Sequence, residues 1–531
     1  MNGLDYIVVA AYLGALLFFG YLLRNQSNEG DYFLGGRTMG WFPLTLSTMA
    51  TQLSAISFVS APAFVGLRDG GGMKWLTYEL ALPLAMILVM FVIAPALYRA
   101  GIVSIYDFLD RRFGRSTRIL ISVSFQVVRS FATGIMVYAM GLILEAVLGI
   151  PLWQSVLVVG VITLIYSTSG GMKAVVYGDA IQMVLIFGGL LVVAGYALSA
   201  IGGFGEFWRQ VEPERLVAVD FFSLGLSGDE FGFLPMLFGG FVLYASYYGC
   251  DQTQAQRILS AKDLKDARVL LFANGVLRFP LVILYCFAGL IVGVAFANDP
   301  ALAARVPSDK PDFMMPIFII EYLPHGIIGL LLVAILAAAM SSLSSAVNSL
   351  AAVTLEDLAV LGKKPKDKRG EVVWARWVSI FWGVIILVLS SFAGAIAPTV
   401  IEAINKVGSA LYGPILGVFL LGMLTRRVGG TAANAGLIVG LGFNLYLWLA
   451  QPQVFWMWWN FIGLVVTLAV AAIVNLVTKP APAAAEPAAV DPATVASSAV
   501  VLRYTTALVA IFVVIVVVSV ILKDSRSWFI S

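Results

Sequence analysis

Long apolar stretches fill most of the chain, and short polar segments separate them. Hydropathy divides the sequence into fourteen such stretches, each with roughly the 17–25 apolar residues that a bilayer-crossing helix needs, or somewhat more. The pattern predicts an all-α polytopic membrane protein with 14 transmembrane helices. The predicted spans lie near residues 4–23, 42–66, 74–98, 119–148, 152–168, 175–200, 231–250, 269–297, 314–350, 372–393, 397–424, 429–449, 455–477 and 504–522.

Composition narrows the possible functions. Of the 531 residues, 60% are apolar and 12% are charged, about half the charged share of a soluble domain. This balance excludes a soluble enzyme, a disordered scaffold and a nucleic-acid binder. The single histidine, His325, and two cysteines without metal-ligand spacing, Cys250 and Cys286, leave no imidazole or thiolate set for catalysis. We therefore expect no enzyme activity and no cofactor.

The positions of Lys and Arg set the predicted orientation. Twenty-two of the 33 basic residues, Arg257 among them, fall in one alternate set of loops, whereas eight fall in the other. Three lie inside spans: Arg129, Arg278 and Lys406. Because basic loops stay in the cytoplasm, both termini are expected outside it, in a plasma (inner) membrane. The Pro/Ala-rich segment 479–499 reads as a semi-extended linker before a peripheral last span.

The second span carries a run of Ser, Thr and Gln from Ser47 to Ser60, followed by Pro62. Hydroxyls inside membrane helices often bond to their own helix carbonyls, which is one interpretation. Gln52 does not fit it, so the alternative is a helix interrupted near the midplane that lines a cavity or binds an ion.

A similar segment follows the glycine pair Gly239-Gly240 in the seventh span, from Tyr244 to Arg257. Five spans separate the two interrupted helices. Interrupted helices that open two five-helix halves are typical of inverted-repeat secondary transporters.

Two further spans hold candidate cation ligands. The ninth contains Ser341, Ser342, Ser344 and Ser345 on adjacent helical turns, which suits a hard monovalent cation or a small-residue packing seam. The sixth opens with Asp179, which is either an interfacial carboxylate favoured by the helix dipole or part of a second cation site.

At these residues the sequence resembles the sodium/solute symporter family, over about residues 5 to 450. The matching segments are DYFLGGRTMGW from Asp31, SAISF from Ser54, GGMKAVVYGDAIQ from Gly170, Gln256-Arg257, MSSLSSAVNS from Met340 and FLLGML from Phe419. The resemblance implies a LeuT-like five-plus-five inverted-repeat core, with one extra helix before it and about three after it. It also implies sodium-driven import of a small molecule by alternating access, for which one chain in the lipid bilayer is sufficient.

This fold divides the chain into five expected regions. They are an extra helix and linker (1–41), the first repeat (42–200), an extracytoplasmic loop (201–230), the second repeat (231–424) and peripheral helices (425–531).

The resemblance also implies the ion ligands. One sodium site would use Ala50, Leu53, Ala338, Ser341 and Ser342. A second would use Asp179, Ser341, Ser344 and Ser345. Na⁺ is thus the coupling ion, with two ions expected per cycle.

The solute is expected among the helices around the midplane. The residues at the family's substrate positions are Gln52, Ser54, Ser57, Glu79, Gln126, Arg129, Asp251, Gln252, Thr253, Arg278, Asn405 and Lys406. The sugar transporters of the family have Gln, Asn and Lys where this chain has Ser57, Asp251 and Arg278. Glu79 matches their Glu, but a galactose-like pocket is not expected.

Arg129 is the sharpest indication of the solute. An arginine deep in a span needs a partner, which is either a substrate carboxylate or an internal acid such as Glu79 or Asp251. The sialic acid symporters carry a carboxylate-binding Arg near position 132 of this chain, one turn away. A carboxylate-bearing solute (monocarboxylate, sialic acid or amino acid) is slightly favoured over a sugar or polyol, and a channel or sensor is the distant alternative.

Overall fold

The computed structural model describes residues 1–53, 55–228, 230–307, 310–363, 365, 367–396, 400–478, 496–525 and 527, and the side chains of 55–56, 146–148, 393–396 and 400–405 are left out. Within these ranges the chain forms helices and no strand. The α-helices are α1 (Gly3–Leu22), α2 (Glu29–Leu34), α3 (Trp41–Gln52), α4 (Ala55–Gly66), α5 (Leu82–Leu88), α6 (Ala94–Arg99), α7 (Tyr106–Phe113), α8 (Arg115–Leu148), α9 (Leu152–Ala200), α10 (Phe204–Gln210), α11 (Phe233–Cys250), α12 (Gln252–Ser260), α13 (Leu264–Asn298), α14 (Pro300–Ala303), α15 (Met314–Tyr322), α16 (Ile327–Val360), α17 (Lys368–Ile396), α18 (Val400–Leu424), α19 (Gly430–Ala450), α20 (Met457–Val477) and α21 (Ser498–Ile521). Short 3₁₀ segments lie at Gly35–Arg37, Met73–Glu79, Pro213–Leu216, Pro311–Phe313 and Leu522–Asp524, and Val89–Ile93 is a π-helix.

Twelve helices of the described ranges are long and apolar enough to cross a membrane, and the bent pair α3 and α4 raises that number to 13. The 49-residue helix α9 would be about 74 Å long if straight, more than twice the thickness of a bilayer core. It is kinked at Gly171, whose φ of 58° and ψ of −153° are not helical. The kink falls between the two predicted spans 152–168 and 175–200. The total of fourteen spans remains a prediction.

The second predicted span is interrupted. Helix α3 ends at Gln52, Leu53 has extended backbone angles (φ −80°, ψ 96°), and α4 starts at Ala55. The helices on either side of the interruption are bent by 57°. Ser54 lies outside the described residues. Because the last carbonyls of a helix lack the usual intrahelical partners, the backbone oxygens at the end of α3 are candidates to bind other ligands.

The seventh predicted span is also interrupted, at Asp251 between α11 and α12. Asp251 has extended angles (φ −99°, ψ 122°), and its side chain accepts a hydrogen bond from the Thr253 backbone N–H at 2.8 Å. The preceding glycine pair has a different role. A Cβ on Gly239 would lie 2.1 Å from the Met457 carbonyl oxygen, so that glycine permits close packing of α11 against α20.

Two other predicted spans are less regular than the hydropathy suggested. The third begins with the 3₁₀ segment Met73–Glu79 and passes through α5, the π-helix and α6. The ninth was predicted to start at residue 314, but α15 ends at Tyr322 and α16 begins at Ile327. The turn between them contains Pro324 and Gly326, and the φ of Gly326 is 89°.

Burial separates central helices from peripheral ones. In α16, 89% of the most apolar 18-residue window is buried, and in α13 the value is 78%. The corresponding values are only 17% for α1 and 22% for α21. Helices α16 and α13 therefore form the centre of the bundle, whereas α1 and α21 present apolar side chains outward, as a lipid-facing helix does.

Candidate substrate and sodium sites

A cavity of about 210 Å³ lies in the centre of the helix bundle. Cavities of about 150 Å³ already accommodate a benzene ring, so this one has room for a small organic solute. Both interrupted helices contribute to its wall, together with α8, α13 and α18. Aromatic rings form much of the wall: Trp75, Tyr78, Tyr106, Phe125, Tyr244, Tyr247, Tyr285 and Tyr412.

Six of the twelve predicted substrate residues line this cavity. They are Gln52, Ser57, Glu79, Arg129, Asp251 and Arg278. Four of the six are charged, and they form two ion pairs, each of one arginine and one acidic residue. The formal charge of the cavity wall is therefore balanced before any solute binds.

The first pair joins Arg129 of α8 to Asp251 at the interruption between α11 and α12. The Arg129 guanidinium carbon lies 6.0 Å from the ring centroid of Phe125 and 5.8 Å from that of Tyr247, within the range of cation–π attraction. Asp251 also caps the N-terminus of α12, where a negative charge is favourable. Of the two internal partners considered for Arg129, which were Glu79 and Asp251, the structure pairs it with Asp251.

The second pair joins Arg278 of α13 to Glu79, with the Arg278 Nε atom 3.3 Å from the Glu79 Oε1 atom. Both side chains are buried, yet part of their hydrogen-bonding capacity is unused. Glu79 Oε2, Arg278 Nη1 and Ser246 Oγ have no hydrogen-bond partner among the described residues. All three residues line the cavity, so a solute could supply the missing partners.

Three predicted substrate residues point elsewhere. Gln126 donates to Asp357 Oδ2 at 3.0 Å. Gln252 donates to the Val103 carbonyl at 2.8 Å. Thr253 Oγ1 lies 2.9 Å from Ser349 Oγ. Gln126 shares α8 with residues of the cavity wall but lies on another face, whereas Gln252 and Thr253 begin α12, of which no described residue lines the cavity.

The last three predicted residues give less information. Ser54 and the Asn405 side chain lie outside the described residues. Lys406 is not part of the cavity wall as far as the structure describes it.

The residues predicted for the first sodium site are all buried. Ala50 and Leu53 lie at the C-terminal end of α3, where helix carbonyls lack intrahelical partners. Helix α16 packs against α3 and carries Ala338, Ser341 and Ser342. The Ser342 hydroxyl donates to the Ala338 carbonyl at 3.3 Å, a weak bond that an ion could replace. Carbonyl and hydroxyl oxygens are the neutral ligands expected for Na⁺.

Two of the serines predicted for the second sodium site, Ser341 and Ser345, lie beside Asp179. Its carboxylate accepts hydrogen bonds from Ser47 at 2.6 Å and from Ser341 at 2.7 Å, and Ser345 lies 3.5 Å away. Asp179 has no exposed surface and lies within α9, eight residues beyond the kink at Gly171 and not at a helix N-terminus, so the interpretation based on the helix dipole does not apply. The Ser344 hydroxyl donates to the Ser341 carbonyl of its own helix at 3.1 Å.

Arg257 was counted among the cytoplasmic loop charges, but this assignment is wrong. Its side chain is fully buried, and its Nη2 atom lies 3.0 Å from Asp179 Oδ2. The polar sequence QTQAQR suggested a loop, whereas every residue of α12 is buried. The sequence did offer a signal for this pair. Two of the segments that match the family each contain one of its members, Asp179 in one and Arg257 in the other, and their charges are opposite.

Sequence reasoning also missed the aromatic wall, because the candidate list contained only polar residues. The segment after the glycine pair holds Tyr244, Tyr247 and Tyr248 directly before the interruption at Asp251. Tyrosines clustered beside a broken helix were a usable signal, since aromatic side chains dominate small-molecule pockets.

Comparison with known proteins identifies the chain. Residues 32–440, more than three quarters of its length, match the Sodium:solute symporter family. The chain belongs to this family. As a sodium:solute symporter, it is a multi-pass membrane protein that couples solute transport to Na⁺, and it is a transporter rather than an enzyme.

Relatives within the family differ in what their names say they carry. The human sodium/iodide cotransporter is 31% identical over 455 residues, which cover 84% of this chain and 69% of that protein. The human sodium-coupled monocarboxylate transporter 2 is also 31% identical, over 84% of this chain and 72% of that protein.

A solved structure shares the fold of this symporter. The substrate-bound outward-open structure of a Na⁺-coupled sialic acid symporter aligns with a TM-score of 0.80 at 24% identity. The alignment covers 91% of this chain and 99% of that one. The LeuT-like fold implied by the sequence is thereby confirmed.

Proposed function

We propose that this sodium:solute symporter imports a small carboxylate-bearing organic solute, and that the solute carboxylate binds Arg129. Transport would proceed by alternating access around the central cavity. The observation that carries the proposal is the position of Arg129 in the cavity wall, where its side chain is 11% exposed and paired with a single carboxylate.

A solute carboxylate can replace Asp251 as the partner of Arg129. After the exchange, both Arg129 and Asp251 still have a group to bond to. The guanidinium offers several donors in a planar fork, which suits a carboxylate that accepts two hydrogen bonds. Asp251 keeps its bond to the Thr253 N–H when it releases Arg129. Ala132, the position that the resemblance gives to a carboxylate-binding arginine, lies on the same cavity wall one helical turn further along.

The second ion pair of the cavity wall, Arg278 with Glu79, favours a solute with a second polar group. Glu79 Oε2 can accept a hydrogen bond, and Arg278 Nη1 can donate one. An ammonium, amide or hydroxyl group on the solute would satisfy them, whereas a purely apolar tail would leave them unpaired. Monocarboxylates and sialic acid, the substrates named for two of the relatives, both carry a carboxylate, whereas iodide does not.

The alternative is a sugar or polyol symporter. It is supported by the same unpaired atoms of Glu79, Arg278 and Ser246. They include an acceptor, a donor and a hydroxyl that can be either, which is the mixture that binds hydroxyl groups. In this alternative the pair of Arg129 and Asp251 would be structural.

The sodium ion is proposed at the interruption of α3, with the carbonyls of Ala50, Leu53 and Ala338 and the hydroxyls of Ser341 and Ser342 as ligands. The positive charges of the loops further support a plasma (inner) membrane location with both termini outside the cytoplasm. The described residues that line the cavity all come from one chain, which is compatible with a monomer as the transporting unit.

The proposal is tested by thermal-shift measurements on the purified protein with monocarboxylates, sialic acid, amino acids, sugars and polyols. Each solute is measured in NaCl and again in KCl. A carboxylate solute is expected to raise Tm in NaCl and much less in KCl. Stabilisation by neutral sugars alone would favour the alternative, and equal shifts in the two salts would contradict sodium coupling.

Arg129→Lys is expected to weaken carboxylate binding at least tenfold, because an ammonium lacks the planar fork. Arg118→Lys is the matched control. Arg118 lies on the same helix, is also buried, and pairs with Asp107 and Asp357 away from the cavity. If both variants lose affinity equally, the effect of Arg129 is structural.

A further inference from the structure

The carboxylate of Asp251, at the second interruption, uses its two oxygens differently. Oδ1 accepts the Thr253 backbone N–H at 2.8 Å, the bond that caps α12. Among the described residues, Oδ2 bonds only to Arg129. The Asp251 side chain lines the cavity but is only 7% exposed, so little water can reach it. A solute carboxylate that takes over Arg129 therefore leaves the charged Oδ2 atom without a partner.

A solute whose only charged group is a carboxylate fits this wall poorly. It would bring a third negative charge, after Asp251 and Glu79, to a described cavity wall with two arginines. Leaving a buried charged acceptor without a hydrogen bond costs more than such a bond contributes on average. A solute with an ammonium group beside its carboxylate adds no net charge, and the ammonium donates to Oδ2. Positive and negative groups then alternate from Arg129 through the solute to Asp251.

The aromatic rings around the pair also suit an ammonium. The ring centroid of Tyr247 lies 5.8 Å from the Arg129 guanidinium carbon and 6.1 Å from the ring centroid of Tyr412. Both rings line the cavity. Because aromatic faces attract cations, rings that stabilise a guanidinium can also stabilise a second cation beside it.

The position of the ammonium favours Asp251 over Glu79, the other acid of the described cavity wall. Glu79 pairs with Arg278, whereas Asp251 pairs with Arg129, the proposed carboxylate-binding residue. In an α-amino acid, the ammonium and the carboxylate are attached to the same carbon atom. The acid that binds the ammonium must therefore lie next to the arginine that binds the carboxylate, as Asp251 does.

From these contacts we propose that the solute is a zwitterionic α-amino acid, and that Asp251 binds its ammonium while Arg129 binds its carboxylate. This inference rests on the proposed function, because it needs Arg129 as the carboxylate-binding residue. Asp251 then determines specificity, since it favours amino acids over monocarboxylates of similar size. The sugar transporters of the family have an uncharged Asn at this position, so the acid is a departure of this chain from their pattern.

The test compares solutes that differ only in their charged groups, with the purified full-length protein in NaCl. The standard amino acids are first ranked by thermal shift. The best binder is then titrated by calorimetry, beside the carboxylate that lacks its α-amino group and the amine that lacks its α-carboxyl group. Each analogue is expected to bind at least about tenfold more weakly than the amino acid, because each leaves one of the two separated protein charges unpaired.

Asp251→Asn tests the residue itself. The variant loses the charge but keeps a side-chain oxygen to cap α12. The amino acid is expected to lose at least about tenfold in affinity, since its ammonium loses a charged acceptor. The carboxylate without an amino group is expected to gain affinity, because it no longer competes with Asp251 for Arg129. A variant that only disturbs the fold would weaken the binding of both solutes.

Two further variants serve as controls. Asp357→Asn removes an acid from Arg118, another buried arginine of α8, away from the cavity. Both affinities are expected to stay as in wild type. Glu79→Gln removes the other acid of the described cavity wall, and the ratio of the two affinities is expected to stay in favour of the amino acid.

The outcomes separate this inference from the proposed function. Binding of monocarboxylates but of no amino acid, or equal affinity for the amino acid and its carboxylate analogue, would overturn the inference and leave the proposed function intact. Equal affinity for the amine would overturn Arg129 as the carboxylate-binding residue, and the inference with it. Equal losses for both solutes in Asp251→Asn, or a reversed ratio in Glu79→Gln instead, would also overturn the inference. The wild-type comparison decides even if Asp251→Asn does not fold.

Discussion

The second interrupted helix contributes one residue to each of two arginine–aspartate pairs, and the two pairs differ in their surroundings. Asp251 at the interruption pairs with Arg129 in the wall of the cavity. Arg257, six residues further on, pairs with Asp179 where no solvent reaches. A guanidinium and a carboxylate that face the cavity can exchange each other for a solute, whereas the same two groups enclosed by protein cannot. Under the proposed function, access to the cavity, rather than the type of ion pair, determines which of the two pairs can bind a solute.

The sealed pair should be the more costly to break. Arg257→Ala leaves the Asp179 carboxylate buried without a counter-charge and should lower the free energy of unfolding by about 3–5 kcal/mol. Denaturation of the purified protein in detergent measures the loss. Arg209→Ala, at an exposed arginine paired with Glu206, is the control and should cost little. An equally small loss for Arg257→Ala would mean that the two pairs do not differ as described.

The pair in the cavity should instead change binding. Asp251→Asn keeps a side-chain oxygen to cap α12 but releases Arg129 from its counter-charge. Affinity for a carboxylate solute should rise about tenfold, since the solute no longer competes with Asp251 for the guanidinium, equivalent to about 1.4 kcal/mol. Solute titrations in NaCl give the affinity. A decrease would indicate that Asp251 itself contacts the solute.

A smaller effect is expected at the proposed sodium site of α3, where Ser342 bonds to an uncharged carbonyl. Ser342→Ala removes one hydroxyl ligand and should raise the sodium concentration for half-maximal stabilisation about fivefold, or about 1 kcal/mol. The order of preference among solutes should not change. Ser349→Ala, on the same helix but bonded to Thr253, is the control. Unchanged sodium dependence in Ser342→Ala would reject this ligand assignment.

The smallest effect on transport is expected at Gln126, which lies on the same helix as Arg129 but outside the cavity. Gln126→Ala removes the bonds to Asp357 and Thr354 and should cost about 1 kcal/mol of stability. Solute affinity should stay within twofold of wild type. A larger change in affinity would show that Gln126 reaches the solute in another conformation.

The two helix interruptions differed in how well the sequence predicted them. The interruption at α3 was predictable, because Gln52 and the hydroxyl residues around it do not suit an uninterrupted apolar span. The interruption at Asp251 was predicted only approximately, since the sequence indicated a segment from Gly239 to Arg257 and no single residue within it. Gly239 packs against α20 and Gly240 against Ala81, and packing partners more than 150 residues away leave no local signal.

The partners of the charged residues were harder to predict. Arg129 had two candidate partners, Glu79 and Asp251, because each lies on a helix expected near the midplane. Only the packing of α8 against the other helices selects one. Arg257 was placed in a loop because its helix is polar, and polarity normally indicates exposure. Here the polar side chains of α12 bond to other helices, as Gln256 does to the Phe33 carbonyl at 2.6 Å.

The sequence by itself determined the membrane location, the helical fold, the family and the residue types available for Na⁺, because hydropathy and motifs are local properties of the chain. The tertiary structure decided which of these residues share a cavity, which charges neutralise each other and which aspartate already has a cation beside it. Those outcomes depend on contacts between distant segments. The side chains of Asp179 and Arg257 are 78 residues apart in sequence and 3.0 Å apart in space.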